Sequence, residues 1–177
     1  MILASIKPYY YYLIAEEKKK IEVRKTALKN LPQDIAFYMS KDEKSFAKIP
    51  KEFQEKYRKH FGKIGMRVVC DKVMFLTPLG LRGFEMREEI LKSICLTNND
   101  LNAYGGLKTL YGWHLSDLKI YDKPKQLSEF YRPCSYSGIC YSCNRFRPNG
   151  TPNDKPNDFC DGEITRPPQS YMFVEEV

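Results

Sequence analysis

Two groups of residues in this sequence have the types and spacings that do chemistry. The first is Cys134, Cys140, Cys143 and Cys160, spaced C-x5-C-x2-C-x16-C in a stretch rich in Gly, Pro, Asn and Asp. A segment with so few apolar side chains cannot bury a core of its own, so it needs a metal or covalent staple. The Cys140-x-x-Cys143 pair forms the usual knuckle for tetrahedral zinc. Cys134 and Cys160 complete a closed four-thiolate set, structural because no position is left for water or substrate. Disulfides, disfavoured in a reducing compartment, and unligated thiols are the alternatives. A redox reading of Cys140-Tyr141-Ser142-Cys143 lacks the preceding strand and following helix that it needs. Cys70 and Cys95 sit in apolar company and read as core filler.

The second group is the run Glu17-Lys18-Lys19-Lys20-Ile21-Glu22-Val23-Arg24. Its alternation places Lys19, Ile21 and Val23 on one face and Lys20, Glu22 and Arg24 on the other, as in a half-buried strand. Lys19 and Arg24 offer a point charge and a planar fork to phosphate or a base edge, as exposed contacts. Glu22 can pair with Arg24 or accept from a base amino group. If the protein is an enzyme, Lys19 activated by desolvation and Glu22 as acid or base are the catalytic candidates. Lys7 and Tyr9 extend the candidate nucleic-acid contacts. Tyr9 belongs to the run Tyr9 to Tyr12, which cannot all share one helical face and so leaves one or two rings exposed for base stacking. Of the two histidines, His60 reads as solvated at the end of a lysine-rich helix, and His114, beside Trp113, as a hydrogen-bonded core residue.

The elements that must position these residues follow from hydrophobic period and turn chemistry. Residues 2–6 read as an apolar strand, and Pro8 opens a helix over 8–17. Strands follow at 18–25 and 34–39, where Ile35, Phe37 and Met39 alternate with Ala36 and Tyr38. Phe53, Tyr57 and Phe61 recur at fourfold spacing in a helix over 50–61, which Gly62 stops. An aliphatic strand spans 65–76 and a helix 84–95. Thr97-Asn98-Asn99-Asp100 reads as a helix cap, a long strand runs over 110–121, and a last one over 170–176. The order of strands and short helices predicts an α+β fold. Its mixed sheet forms a small barrel in which the first and last strands pair and exposed edges are removed. The four-cysteine loop, 134–163, is inserted before the last strand of what reads as one domain over 1–177.

Composition narrows the function classes. The chain of 177 residues is 42% hydrophobic and 29% charged, an ordinary globular balance. No apolar run approaches the roughly 18 residues of a membrane span, and the opening lacks the pattern of a secretory signal. A cytoplasmic protein is expected, with no membrane partner. Its net charge of +7 is uneven: residues 1–67 hold 16 Lys+Arg against 8 Asp+Glu, while residues 68–177 hold 13 against 14. Such asymmetry predicts a basic face that meets an anion, most often a nucleic-acid backbone.

On these segments the sequence resembles the ASCH domains, a branch of the PUA-like β-barrels. The family pattern is roughly G-x-K-x-x-E-x-R after the first strand and helix; Lys19, Glu22 and Arg24 match it, and Glu17 stands where the family usually has glycine. The opening Leu3-Ala4-Ser5-Ile6-Lys7-Pro8 is similar to the family's start. The stretches at 110–118 and 165–170 resemble a phage and bacterial subset, so a bacterial, phage-encoded origin is an expectation. The resemblance implies a barrel with a cleft for nucleic acid, RNA before DNA, or for a modified nucleotide. Arg145 and Arg147 of the zinc loop would extend its basic surface. A second implication is a hydrolase acting on a modified nucleoside or RNA through Lys19 and Glu22. One group of the family hydrolyses N4-acetylcytidine, but with a threonine where this chain has Glu22. A third is a phage-type protein-interaction or inhibitor module.

Overall fold

The computed structural model describes residues 1–132 and 164–176. The four cysteines of the expected zinc loop, with Arg145 and Arg147, lie outside the described residues. The elements are β1 (Ile2–Ile6), α1 (Pro8–Ala15), β2 (Ile21–Arg24), β3 (Gln33–Met39), α2 (Glu43–Phe46), α3 (Lys51–Arg58), β4 (Ile64–Leu76), α4 (Glu88–Ile94), α5 (Asn98–Gly105), β5 (Leu110–Lys125), β6 (Phe130–Tyr131), β7 (Tyr171–Phe173) and β8 (Glu175–Glu176). The short α2 and β6 were not expected, and the last strand expected over 170–176 is divided into β7 and β8, which belong to different sheets. The helix expected from residue 84 starts only at Glu88, because Asn102 and Asn98 hold the backbone N–H groups of Phe84 and Met86 outside it.

Six strands form one mixed sheet in the order β2-β5-β4-β3-β1-β7. β1 runs parallel to β3, with Ile2 opposite Ile35, and antiparallel to β7, with Ile2 opposite Phe173. The expected pairing of the first strand with a late one is therefore present. Strand alternation sorts the core into layers. Ile2, Ala4, Ile6, Ile35, Phe37 and Met39 face α1 and its neighbours, whereas Leu3, Ala36 and Tyr38 pack on Phe130 and Val174. Ile21 and Val23 turn to a third cluster, with Ile94 of α4 and Leu101 of α5.

The sheet curls into a half-barrel rather than closing by backbone pairing. β2 and β7 are its two edges, yet the Arg24 side chain of β2 donates to the carbonyls of Ser5 (2.8 Å) and Ser170 (3.4 Å) across the gap. Trp113 of β5 meets Tyr171 of β7 edge-on at 5.5 Å. The two edges thus face each other across a seam bridged by side chains.

Both histidines sit differently from expectation. His60 is buried, and its Nδ1 lies 3.0 Å from the Tyr11 hydroxyl. Gly65 makes room for this pair: a Cβ there would fall 1.9 Å from Nδ1. Burial, with Lys59, Lys56 and Lys63 nearby, pushes the His60 pKa down to about 4, so the ring is neutral. His114 lies on the half-exposed rim of β5, 2.6 Å from Asp71. Cys70 is buried as expected; Cys95 is only partly so. No helix among the described residues is long and apolar enough to cross a membrane.

Candidate functional site

The site begins with the turn that ends α1. Glu17 adopts the left-handed conformation (φ 56°), and the backbone N–H groups of Lys18 and Lys19 both donate to the Leu13 carbonyl, at 2.8 and 2.9 Å. This is a helix stop of the kind glycine makes most cheaply, which accounts physically for glycine at the matching position of the resembled pattern. Glu17 holds the same backbone shape with a side chain attached.

The turn sends three consecutive lysines to different places. Lys18 and Lys20 point to solvent, while Lys19 is 2% exposed. Lys19 precedes β2 and so escapes the strand alternation that was expected to set it apart from Glu22. Its Nζ donates to the Ile94 carbonyl at the end of α4, lies 3.5 Å from Glu22 Oε2, and sits 5.3 Å above the Tyr10 ring. Burial lowers its pKa, partly offset by the Glu22 carboxylate.

Glu22 and Arg24 share one face of β2. Arg24 Nε lies 3.1 Å from Glu22 Oε1, a charge contact rather than an aligned hydrogen bond. The guanidinium also lies 5.6 Å from the Trp113 ring. All four residues of β2 are buried, so the expectation of a half-exposed strand is corrected. So is that of Lys19 and Arg24 as exposed phosphate contacts. Each occupies a near-dry position because β5, α4 and the β1 end pack around the short strand.

These groups line a cleft of about 560 Å³ that lies along the seam. Its buried charged lining residues are Glu22, Lys19 and Arg24. Ser5, Ile6 and Lys7 of the β1 end, Tyr10 of α1, and Leu96, Asp100, Ala103 and Tyr104 from around α5 also line it. Lys7 is exposed at the rim. Tyr104 is 43% exposed, with Lys25 Nζ 4.8 Å over its ring. Burial raises the pKa of both Tyr10 and Tyr104, so both stay neutral phenols. Asp100 is kept anionic by the Thr97 side chain and backbone in the capping box that opens α5. The buried Ser40 hydroxyl, also on the lining, has no hydrogen-bond partner among the described residues.

Of the expected site residues, the fold brings together Lys7, Lys19, Glu22 and Arg24. Tyr9 is not in this lining; its neighbour Tyr10 is, since one residue along a helix turns the ring by about 100°. Tyr104, Asp100 and Ser40 were missed. Only the Thr97–Asp100 cap had a local signal, and it marked the start of a helix, not the direction that helix faces.

The lining carries three cations (Lys7, Lys19, Arg24) against two anions (Glu22, Asp100), so the cleft is mixed rather than simply basic. Carboxylates that accept from amino or imino groups, a spare hydroxyl and two aromatic side chains on the lining suit a flat polar heterocycle, with Lys7 at the rim for an anion.

No protein-family model matches the sequence, and no curated protein matches it. Among solved structures, the crystal structure of ASCH from Zymomonas mobilis aligns with a TM-score of 0.50 at 15% identity, covering 98% of this chain and 87% of that one. Two point mutants of the Zymomonas protein give TM-scores of 0.45 and 0.43, at 15% and 13% identity, again over 98% of this chain and 89% and 87% of theirs. At such identity the likeness is one of backbone architecture. The chain has the ASCH domain fold, a PUA-like half-barrel whose seam carries the lysine, glutamate and arginine on which the sequence resemblance rests.

Proposed function

We propose that the seam cleft binds a single nucleobase, presented by RNA or by a modified nucleotide. The observation that carries this reading is the Glu22 carboxylate, buried between Lys19 and Arg24 yet lining an open cleft together with Tyr10 and Tyr104. A carboxylate held that way is fixed in direction and ready to accept from an exocyclic amino group, while the rings take the faces of the base. The unpartnered Ser40 hydroxyl supplies one more polar contact. The ASCH fold and its resemblance to PUA-like nucleic-acid binders support the same reading, with DNA the less favoured polymer.

The test is a titration against fluorescent single-stranded RNA, duplex RNA, duplex DNA and free nucleotides, each at two salt concentrations. Single-stranded RNA or a nucleotide should bind, and Tyr104→Ala should weaken it roughly tenfold, as the loss of one stacking face does. Flat responses to every ligand would retire the reading and turn attention to a protein partner.

A specific observation favours a second reading, hydrolysis of a modified nucleoside. Burial lowers the Lys19 pKa beside a carboxylate, the arrangement that prepares an amine for proton transfer or attack. Turnover of N4-acetylcytidine that disappears in Lys19→Ala would establish it, and no turnover by the intact protein would remove it. We also propose that Cys134, Cys140, Cys143 and Cys160 hold a structural zinc ion. Metal analysis of protein purified without chelator should find one equivalent, lost in Cys140→Ser.

A further inference from the structure

Four aromatic rings form a continuous row that starts in the cleft and runs out of it. Tyr10 lines the cleft; Tyr9 follows at 5.9 Å between centroids, Tyr12 at 6.3 Å from Tyr9, and Phe53 of α3 at 5.3 Å from Tyr12. Tyr12 is buried, but Tyr9, Tyr10 and Phe53 are each left partly open to solvent.

Lysines border the row. Lys18 Nζ lies 4.8 Å over the Tyr12 ring and 5.7 Å over Phe53, and it donates to the Tyr12 hydroxyl at 2.6 Å. Lys56 Nζ lies 5.9 Å over Phe53, although Glu16 takes part of its charge at 2.7 Å. No acidic residue stands in the first turn of α1. Partly open rings in sequence, with cations at their edges, are the elements of a surface that follows a single strand: each base has a face to stack, and each phosphate a charge to meet. A duplex would keep its bases stacked inside and could not use the rings.

We infer that the row Tyr10–Tyr9–Phe53, edged by Lys18 and Lys56, is a track for single-stranded nucleic acid leading away from the seam cleft. This inference rests on the reading of the cleft as a base site and narrows its ligand from a free nucleotide to a strand several residues long. It also gives the excess positive charge of residues 1–67 a use that the mixed-charge cleft does not.

Fluorescence anisotropy with single-stranded mono-, di-, tetra- and octaribonucleotides separates the two claims. Affinity should climb with length in the intact protein. The variant Tyr9→Leu with Phe53→Leu, which keeps apolar bulk but removes the π-faces, should lose roughly tenfold per ring on the longer ligands. Its mononucleotide affinity should stay unchanged. Lys18→Glu, at an exposed side chain, should flatten the dependence of log affinity on log salt by about one or more. Mononucleotide binding with no gain on longer strands would overturn the track and leave the cleft reading intact. A length gain that survives in both variants would also overturn it. Binding of octanucleotides but not mononucleotides, lost in the variants, would reject the cleft as a base site and, with it, a track that leads from the cleft. No binding at any length rejects both. Should the double variant melt early, Lys18→Glu decides alone: an unchanged salt slope and length gain rule the track out.

Discussion

Lys19 and Lys20 are neighbours in the chain, and each has a glutamate three residues away, yet the two pairs belong to different physical regimes. Lys20 Nζ lies 3.2 Å from Glu17, with side chains 49% and 66% exposed; Lys19 Nζ lies 3.5 Å from Glu22, with side chains 1% and 9% exposed. The longer contact is the stronger constraint. In water the attraction is screened and offset by side-chain entropy, so an exposed pair contributes little. In the seam both ions have already lost hydration, and removing one leaves the other stranded. What separates the pairs is solvent, and solvent access is set by the left-handed turn at Glu17.

The largest expected effect follows directly. Glu22→Ala should destabilise the protein by about 3–5 kcal/mol, because Lys19 and Arg24 would be left as buried cations without their carboxylate. Lys20→Ala should change stability by no more than about 0.5 kcal/mol. Denaturant midpoints measure both, and losses of equal size would break the comparison.

His60 sharpens it next, as a buried base that avoids the ion problem by staying neutral. Its folded pKa of about 4 lies below its ordinary 6.5, so as the pH falls the unfolded chain takes the proton first. The contribution to stability is full above pH 6.5 and is lost as the pH drops toward 4, by about 3 kcal/mol in all. Unfolding curves across that window should show this slope, and His60→Gln should remove it.

Arg24→Lys keeps the charge near Glu22 but gives up the fork that reaches Ser5 and Ser170 across the seam, at an expected loss of about 2 kcal/mol. Faster hydrogen exchange in β7 should accompany it, and unchanged exchange there would mean that the seam is held by Trp113 and Tyr171 instead. The smallest effect concerns the turn itself. Glu17→Gly removes a side chain from the left-handed region at the expense of one exposed ion pair, so a gain of about 1 kcal/mol is expected. A destabilised variant would show that Glu17 holds the turn through its side chain.

Much of the scaffold was legible in the sequence because it depends on local period. The alternation of Ile35, Phe37 and Met39, the proline that opens α1 and the Thr97–Asp100 cap all specify their elements without knowledge of the rest of the chain. Lys7, Lys19, Glu22 and Arg24 could be picked out by type and spacing, and they do meet on one cleft. Their burial could not be read, since it depends on β2 pairing with β5, where Glu22 stands opposite Trp113, ninety-one residues away. Tyr104 and Ser40 were hidden for the same reason: nothing beside them in sequence tells which side of a seam they will face. His60 was misread because the lysines around it describe the exposed face of α3 and the turn that follows it, while Tyr11, its partner, comes from α1.

The position of β1 bears on when this protein can finish folding. That strand lies between β3 and β7, and the amino group of Met1 donates to the Val174 carbonyl at 3.1 Å. A chain emerging from the ribosome can pair β1 with β3 early, but the other edge of β1 must wait for residues 171–173. Contacts so distant in sequence slow folding and lengthen the interval in which an unpaired edge can meet another molecule. During synthesis the half-barrel therefore stays one strand short until residues 171–173 have been made, and the seam that forms its cleft is among the last of the described parts to assemble.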